Sequence, residues 1–437
     1  MTDLPRRHQR ARGPLPVRHG RLQRRRAVGR VFALLAGTLA VVLVSVGGVG
    51  AYAVWDVARS VKTGVKLVSL PGHTQQAIPD VAAMEGGINV LIAGTDSRSG
   101  LGGIYESSDE QDASSGEGNN DVTMLLHIAQ DHKSMMVVSF PRDLMIAIPD
   151  CPSPNGGTVD GSDYAQFNTA LSRGGLACVV LTVEKMTGLT IPFGAVINFA
   201  GVSGMSTAVG GVSVCLASPV VDKYTNPPLD LPAGTSELVG DEALSFLRSR
   251  HGVGDGSDLG RISNQQVFLS ALARKVVSGG VLSNPVQLYG LAKAAVDNVT
   301  PSESLSNPTT LVQIALAVKD TGLENMVFVQ YPAVTDPDNV NRVVPQTSAA
   351  RALNEALVND VAVKLTGSTG RAAEDPNATN TPTPGDTTSS DAPTADAGAT
   401  TDAAATPAPD ATSSAVELPS SITGQTAAQQ TCTKGNE

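Results

Sequence analysis

The chain has 437 residues, a formal net charge of −10 and 41% hydrophobic residues. That length exceeds one average domain and suits one large core with appendages, and the acidic balance does not suggest a polyanion-binding role for the body of the chain. The charge is uneven, because residues 1–30 hold ten arginines against one acid, Asp3.

Residues 31–55 carry no charged side chain. At about 1.5 Å per helical residue this run can span a hydrocarbon core of roughly 30 Å. Arginines crowd its N-terminal side, so residues 1–30 read as a cytoplasmic tail, 31–55 as a single transmembrane helix, and the remainder as extracytoplasmic. A cleaved signal peptide competes, since Ala51-Tyr52-Ala53 fits a small-residue cleavage pattern. The run is long for a signal core, however, and Val54 and Trp55 continue it. A nucleic-acid-binding basic arm is the third reading, and the positive-inside pattern already accounts for the charge.

Residues 56–86 read as a juxtamembrane connector. Residues 88–93 are a short apolar run, consistent with a buried strand, which ends in Gly94-Thr95-Asp96-Ser97-Arg98. A Gly/Ser/acid-rich loop over 99–120 follows. Asp121 opens a second strand over 123–128. A polar turn at 130–133 leads to a third strand, 135–140, ending in Pro141-Arg142-Asp143. So short a turn makes strands two and three antiparallel neighbours. With strand one also antiparallel to strand two, Asp96 and Arg98, Asp121, and Arg142 with Asp143 converge on one sheet edge.

Residues 150–165 form a loop, and 176–186 have helical spacing, with Gly188 fitting the helix end. Strands are expected over 193–199 and, after Gly210-Gly211, over 212–216, with a short helix between them. Residues 218–235 read as a loop. A helix over 236–250 carries Leu238, Ala243, Leu244 and Leu247 on one stripe and is broken by Gly252, Gly254 and Gly256. Ile262, Phe268, Leu269, Leu272 and Val276 mark the next helix. Asn307-Pro308 caps another, to Lys319. A late strand over 326–331 and a last helix over 347–365 close a domain spanning 87–365. From residue 366 the composition falls to Thr, Ala, Pro, Asp and Ser, which predicts a disordered tail over 366–437. Alternating helices and strands with a hairpin predict a three-layer α-β-α sandwich around a central mixed sheet.

Four cysteines allow three pairings, and an external compartment permits disulfides. Cys151 with Cys178 is the expected pair, and Cys215, in an apolar strand, reads as a buried thiol. No pair has metal-ligand spacing.

After residue 30 the chain holds eleven arginines. Arg248, Arg250 and Arg261 stand with Asp255 and Asp258 among glycines, while Arg98 and Arg142 stand in similar polar knots. Arginine offers phosphate a planar fork of donors, and neighbouring aspartates suit a hard divalent cation. One such knot is as well explained by surface ion pairs; three together point to a site.

These residues resemble the LytR-CpsA-Psr family. The resemblance rests on Gly94-Thr95-Asp96-Ser97-Arg98, Asp121 before an apolar strand, Pro141-Arg142-Asp143, and Asn168 ahead of Gly174-Gly175. It continues through Gly210-Gly211-Val212 and Arg248-Ser249-Arg250 to Ser257-Asp258-Leu259-Gly260-Arg261, covering residues 88–277. The arginine-rich start and the alanine-rich body with few lysines suit an actinobacterial source, and the resemblance implies a membrane-anchored phosphotransferase that moves a glycopolymer from a polyprenyl-pyrophosphate carrier onto peptidoglycan. It further implies magnesium or manganese at Asp96 and Asp121, and pyrophosphate binding by Arg98, Arg142, Arg248, Arg250 and Arg261. Asp143 and Asp258 would orient these arginines or assist deprotonation of the acceptor. The chain departs from the family at Asn119 and Asn264, where arginines are frequent. The loss of two charges implies weaker activity, a different polymer or a different lipid. Ile197, Phe199, Val202, Phe246 and Leu247 could line a lipid groove, although apolar residues at these spacings are more often core. A non-catalytic polyprenyl-phosphate-binding or regulatory relative and a plain polyprenyl-pyrophosphate pyrophosphatase are the alternatives. A DNA-binding regulator is undermined by the acidic body.

Overall fold

The computed structural model describes residues 62–70, 87–95, 118–153, 156–278, 280–281, 284–376 and 415–436, with isolated positions between 32 and 60. The chain divides into the units Met1–Asp56 and Val57–Glu437. The basic tail and most of the apolar run lie outside the described residues. Among the described residues no helix is long and apolar enough to cross a membrane.

In the second unit, strands β1 (Ile88–Thr95), β2 (Asn120–Ile128) and β3 (Met135–Phe140) form an antiparallel meander. Then come β4 (Met145–Ile148), β5 (Ser162–Gln166), helix α1 (Ala170–Thr187), β6 (Phe193–Ile197), α2 (Phe199–Ala208) and β7 (Val212–Leu216). They are followed by β8 (Gly234–Leu238), α3 (Asp241–Arg248), α4 (Asp258–Ser278), α5 (Pro285–Asn298), β9 (Val299–Pro301) and α6 (Pro308–Thr321). β10 (Met326–Gln330), the hairpin β11 (Ala333–Asp336) and β12 (Asn339–Pro345), and α7 (Thr347–Val358) complete the body. Among the short strands that follow are β13 (Ala373–Glu374), β14 (Gly424–Thr426) and β15 (Cys432–Thr433).

The central sheet has the order β9-β6-β1-β2-β3-β10-β14. Its β1–β6 and β3–β10 pairs are parallel and the rest antiparallel, so it is mixed. Successive side chains alternate between its faces. Leu91, Leu125, Val138 and Val329 join the core made with α1 and α7. Val90, Leu126, Val137 and Phe328 join the core made with α4 and α6. Helices therefore cover both faces, as the expected three layers require.

Gly174 and Gly175 interrupt α1 with non-helical backbone. A Cβ on Gly174 would lie 2.8 Å from the Cβ of Cys151 and 2.9 Å from that of Cys178. The glycine makes room for the Cys151–Cys178 disulfide, the expected pair.

Several expectations need correction. Residues 150–165 and 218–235 are not plain loops, because Cys151–Pro152 pairs with Thr158–Val159, β5 pairs with β4, and Val220–Asp222 pairs with Leu229–Leu231. Residues 234–238 are strand rather than helix, because β8 pairs with β7 in register and buries Leu238. The following helix starts only after Gly240, whose positive φ of 59° no helix accepts. The last helix ends at Val358, and Asp360 turns the chain at φ 53°. The tail is ordered where it is described, over 366–376 and 415–436; residues 377–414 lie outside the described residues. Its end buries Leu418, Ile422 and Ala427 and adds β14 to the central sheet. Finally, Cys215 is not a thiol. It bonds Cys432 across the parallel β7–β15 pair.

Candidate active site

The site forms where β1 ends, β2 begins and β3 ends. Thr95 pairs with Asn120, and Thr123 with Phe140, so Asp121 and the Pro141-Arg142-Asp143 turn share one edge. Strand one thus runs as the convergence required. Asn120 is fully buried, accepts the Leu171 N–H at 3.1 Å, and donates to the Thr123 hydroxyl at 3.0 Å. It pins the start of α1 to the same edge.

Arg142 Nη1 donates to Asp121 Oδ1 at 2.7 Å, and its backbone N–H donates to Asp258 Oδ2 at 3.2 Å. Asp258 begins α4 and meets Arg261 Nη2 through Oδ1 at 2.6 Å, one helical turn on. The same Nη2 donates to the Asp121 carbonyl at 2.8 Å. Arg250 Nη2 stands 3.7 Å from Asp143 Oδ2, and Arg142 Nε 3.8 Å. Five expected residues, Arg142, Asp143, Arg250, Asp258 and Arg261, therefore meet around Asp121.

Arg250 is placed by the turn between α3 and α4. Asp222, buried in the strand Val220–Asp222, accepts the Ser249 hydroxyl at 2.7 Å and the Gly252 N–H at 3.2 Å through Oδ2. Burial works to raise its pKa. The bonds from Ser249, Tyr224 and Gly252 outweigh burial, and the net shift is downward.

The charges are unevenly met. Burial disfavours the Arg142 cation, but Asp121, Asp258 and Asp143 outweigh it and raise the pKa. Arg250 is shifted down, first by burial and then by the neighbouring Arg142 and Arg261 cations. The Nε atoms of Arg142, Arg250 and Arg261 are buried and lack hydrogen-bond partners. Buried donors left unpaired carry a desolvation cost that an anion could relieve.

Other expected residues stand differently. Asp96 and Arg98 lie outside the described residues. Arg248 places its guanidinium 4.2 Å over the Phe199 ring. Asn264 is fully buried, donating to the Phe246 carbonyl and accepting from the Thr433 hydroxyl, each at 2.8 Å. It locks α4 to β15 and is not a missing charge facing the cluster. Phe246 is core, whereas Phe199 packs with Leu244 and Val202.

Two residues escaped the sequence reading. Gln166 Nε2 donates to Asp143 Oδ1 at 2.6 Å, and Arg342 Nη1 stands 3.7 Å from the same oxygen. Gln166 precedes Phe167 and Asn168, whose N–H groups bind the Leu144 and Arg142 carbonyls, so its place two residues before the Asn168 motif was the only signal. Arg342 had none.

Asp121 Oδ2 has no partner among the described contacts, and this carboxylate is the described half of the expected metal pair. Asp96 follows Thr95, the partner of Asn120. The Asp121 carboxylate is a hard oxygen donor of the kind magnesium or manganese takes. Among the described residues no group of three acidic, histidine or cysteine side chains could hold a metal.

The face of the sheet toward α4 and α6 is not fully covered. Ala195, Ile92, Met124 and Ser139 form one row across β6, β1, β2 and β3. Ile92 is 36% exposed and Met124 half-buried. Two pairs, Ala93 with Thr123 and Gly94 with Val122, separate Ile92 and Met124 from the Thr95–Asn120 pair at the polar edge.

A profile of the LytR_cpsA_psr family matches residues 59–359. The Corynebacterium glutamicum cell wall biosynthesis protein LcpA is 28% identical over 329 residues. That alignment covers 70% of this chain but only 60% of the relative. The Bacillus subtilis polyisoprenyl-teichoic acid–peptidoglycan teichoic acid transferase TagT is 27% identical, over 59% of this chain and 74% of its own. A crystal structure of a Streptococcus agalactiae protein superposes with a TM-score of 0.52 at 20% identity, covering 65% of this chain and 91% of that one. This last likeness bears on the fold alone.

Proposed function

Because the chain belongs to the LytR_cpsA_psr family, we propose that it attaches a glycopolymer from a polyprenyl-pyrophosphate carrier to peptidoglycan, through a phosphodiester. The observation that carries the proposal is the arginine cradle. Three guanidinium groups, that of Arg261 buried and those of Arg142 and Arg250 partly buried, each with a buried Nε that lacks a hydrogen-bond partner, stand among Asp121, Asp143 and Asp258. Like cations crowded at one buried edge are poised for an anion with several oxygens. The partly exposed Ile92 and Met124, paired on the sheet face toward α4 and α6, support a lipid-linked donor.

In the proposed reaction the acceptor hydroxyl oxygen attacks the phosphorus that carries the glycopolymer. The bond from that phosphorus to the bridging oxygen breaks, and polyprenyl monophosphate leaves with the electron pair. Such a transfer asks the protein for positioning and charge neutralisation. Arg142, Arg250 and Arg261 would bind the pyrophosphate oxygens. Asp258 has both oxygens engaged, on Arg261 and on the Arg142 amide, and acts as the positioning residue. Asp143 Oδ2 is beyond hydrogen-bond reach of its arginines and is the oxygen free to take the acceptor proton. Asp121, with Asp96, would hold the divalent cation, whose chemistry there is to offset charge on the departing phosphate. Arg98 and Arg248 would bind farther along the donor.

An extracytoplasmic body behind a single N-terminal anchor completes the proposal. The two disulfides support an oxidising compartment, and the arginine-rich start followed by an apolar run supports the orientation.

The test follows lipid monophosphate release from a short-chain polyprenyl-pyrophosphate sugar by the full chain in detergent. Release should need magnesium and should fall by about 10²–10³-fold in Arg142→Ala and Asp121→Ala. Product joined to peptidoglycan when acceptor is added is the expected result. Release to water alone, whatever the acceptor, would make the chain a pyrophosphatase. Binding without release would make it a non-catalytic relative.

A further inference from the structure

The β11–β12 hairpin is tied to the site by its main chain. The Val343 N–H donates to the Asp143 carbonyl at 3.2 Å, Val343 bridges to Leu144, and its side chain packs on the core. The backbone at Arg342 is therefore fixed whatever its side chain does. That side chain is one-third exposed and only 3.7 Å from Asp143 Oδ1. The oxygen is already bonded to Gln166 at 2.6 Å. A pair that loose and that wet contributes little to stability. Its one described hydrogen bond is from Nη1 to the Asn341 carbonyl at 3.0 Å, which leaves most of the five guanidinium donors open.

The charge balance points the same way. Among the described residues the cluster has four guanidinium groups, Arg142, Arg250, Arg261 and Arg342, and three carboxylates, Asp121, Asp143 and Asp258. Asp143 divides them, with Arg142 and Arg250 nearest Oδ2 and Arg342 nearest Oδ1.

Resting on the function proposed above, we propose that Arg342 is a further ligand-binding arginine of this site, delivered by the hairpin to take the donor's pyrophosphate from the side of Asp143 opposite Arg250. It adds a fork of donors from an element that carries no other residue of the cluster, so the ligand is held between the sheet edge and the hairpin.

The test is calorimetric titration of the full chain in detergent with farnesyl pyrophosphate and magnesium, beside thermal unfolding of each variant. Arg342→Ala should bind about tenfold more weakly, the value of one charge-assisted contact. Arg342→Lys, which keeps the charge but not the fork, should recover part of that loss, and both should melt with the parent chain. Arg351→Ala, an exposed arginine on α7, should bind as the parent does. Parent-like binding by Arg342→Ala, with binding lost in Arg142→Ala, overturns the hairpin assignment and leaves the function reading intact. A melting loss in Arg342→Ala that lysine does not restore makes the residue structural and also overturns it. No binding by the parent chain overturns both.

Discussion

Glu184 shows how one side chain can set pH dependence far from the chemistry. It lies in α1, 6% exposed, and accepts the Ile191 N–H at 2.8 Å. Burial pushes its carboxyl from 4.5 up to about 7, against the pull of that bond. The folded chain therefore keeps a proton between 4.5 and about 7 that the unfolded chain releases. Stability is greatest below that window, falls as pH rises through it, and is flat above. Glu184→Gln keeps the acceptor oxygen and removes the charge. Melts of both chains should coincide near about pH 4 and separate by up to about 3 kcal/mol at about pH 8, the variant being the more stable. A constant gap across that range would refute the assignment.

The turn between α3 and α4 is the element on which the arginine cradle depends. Its side-chain anchor is Asp222, and its main chain is held from the other side. Gly252 accepts from the Asn436 N–H at 3.0 Å, and Gly254 donates to the Lys434 carbonyl at 2.9 Å. Asp222→Ala leaves the Ser249 hydroxyl and Gly252 amide without their acceptor, at a cost of about 1–3 kcal/mol. The turn carries Arg250, so turnover should fall about tenfold or more while the melt shows a modest loss. Unchanged turnover with a lowered melt would mean that Arg250 is positioned by other contacts. The lowered pKa of Asp222 gives the sign. Its contribution is present above the ordinary carboxylate range and is lost as pH falls through the folded value.

At the scale of the whole molecule, the end of the chain closes the structure. The matched family region stops at residue 359, yet β14 extends the central sheet and β15 joins β7. Gln425 donates to the Gln266 carbonyl and Ser270 hydroxyl, and Arg274 to the Ala427 and Gln429 carbonyls. The terminal segment thus braces α4, whose first turn carries Asp258 and Arg261. The Cys215–Cys432 bond spans 217 residues. Replacing both cysteines by serine should cost about 2–5 kcal/mol. Hydrogen exchange should quicken first in 420–436 and in the 249–257 turn. Exchange confined to the terminus would show that the brace does not reach the site.

Local chemistry made part of this legible without coordinates. The apolar runs marked β1, β2 and β3, and the four-residue turn made β2 and β3 antiparallel neighbours; the direction of β1 was an assumption, which its antiparallel pairing with β2 bears out and which completes the meander. That meander brought Asp121, Arg142 and Asp143 to one edge, and the Gly-rich arginine stretch supplied Arg250, Asp258 and Arg261. Residues 236–250 misled, since Leu238 satisfies a helical stripe and an alternating strand equally well, and only pairing with β7 decides. Gln166, Arg342 and the Asn264–Thr433 contact were illegible because each joins segments distant in sequence. Composition hid the ordered terminus, whose few buried residues and single cysteine are diluted by the Thr/Ala/Pro stretch before them. The sequence by itself determined the β2–β3 hairpin and the polar groups at its open end, since those follow from short-range spacing. Only the tertiary structure decided the parallel pairs, the place of the last strand and the partner of Cys215, because these depend on which distant surfaces bury one another.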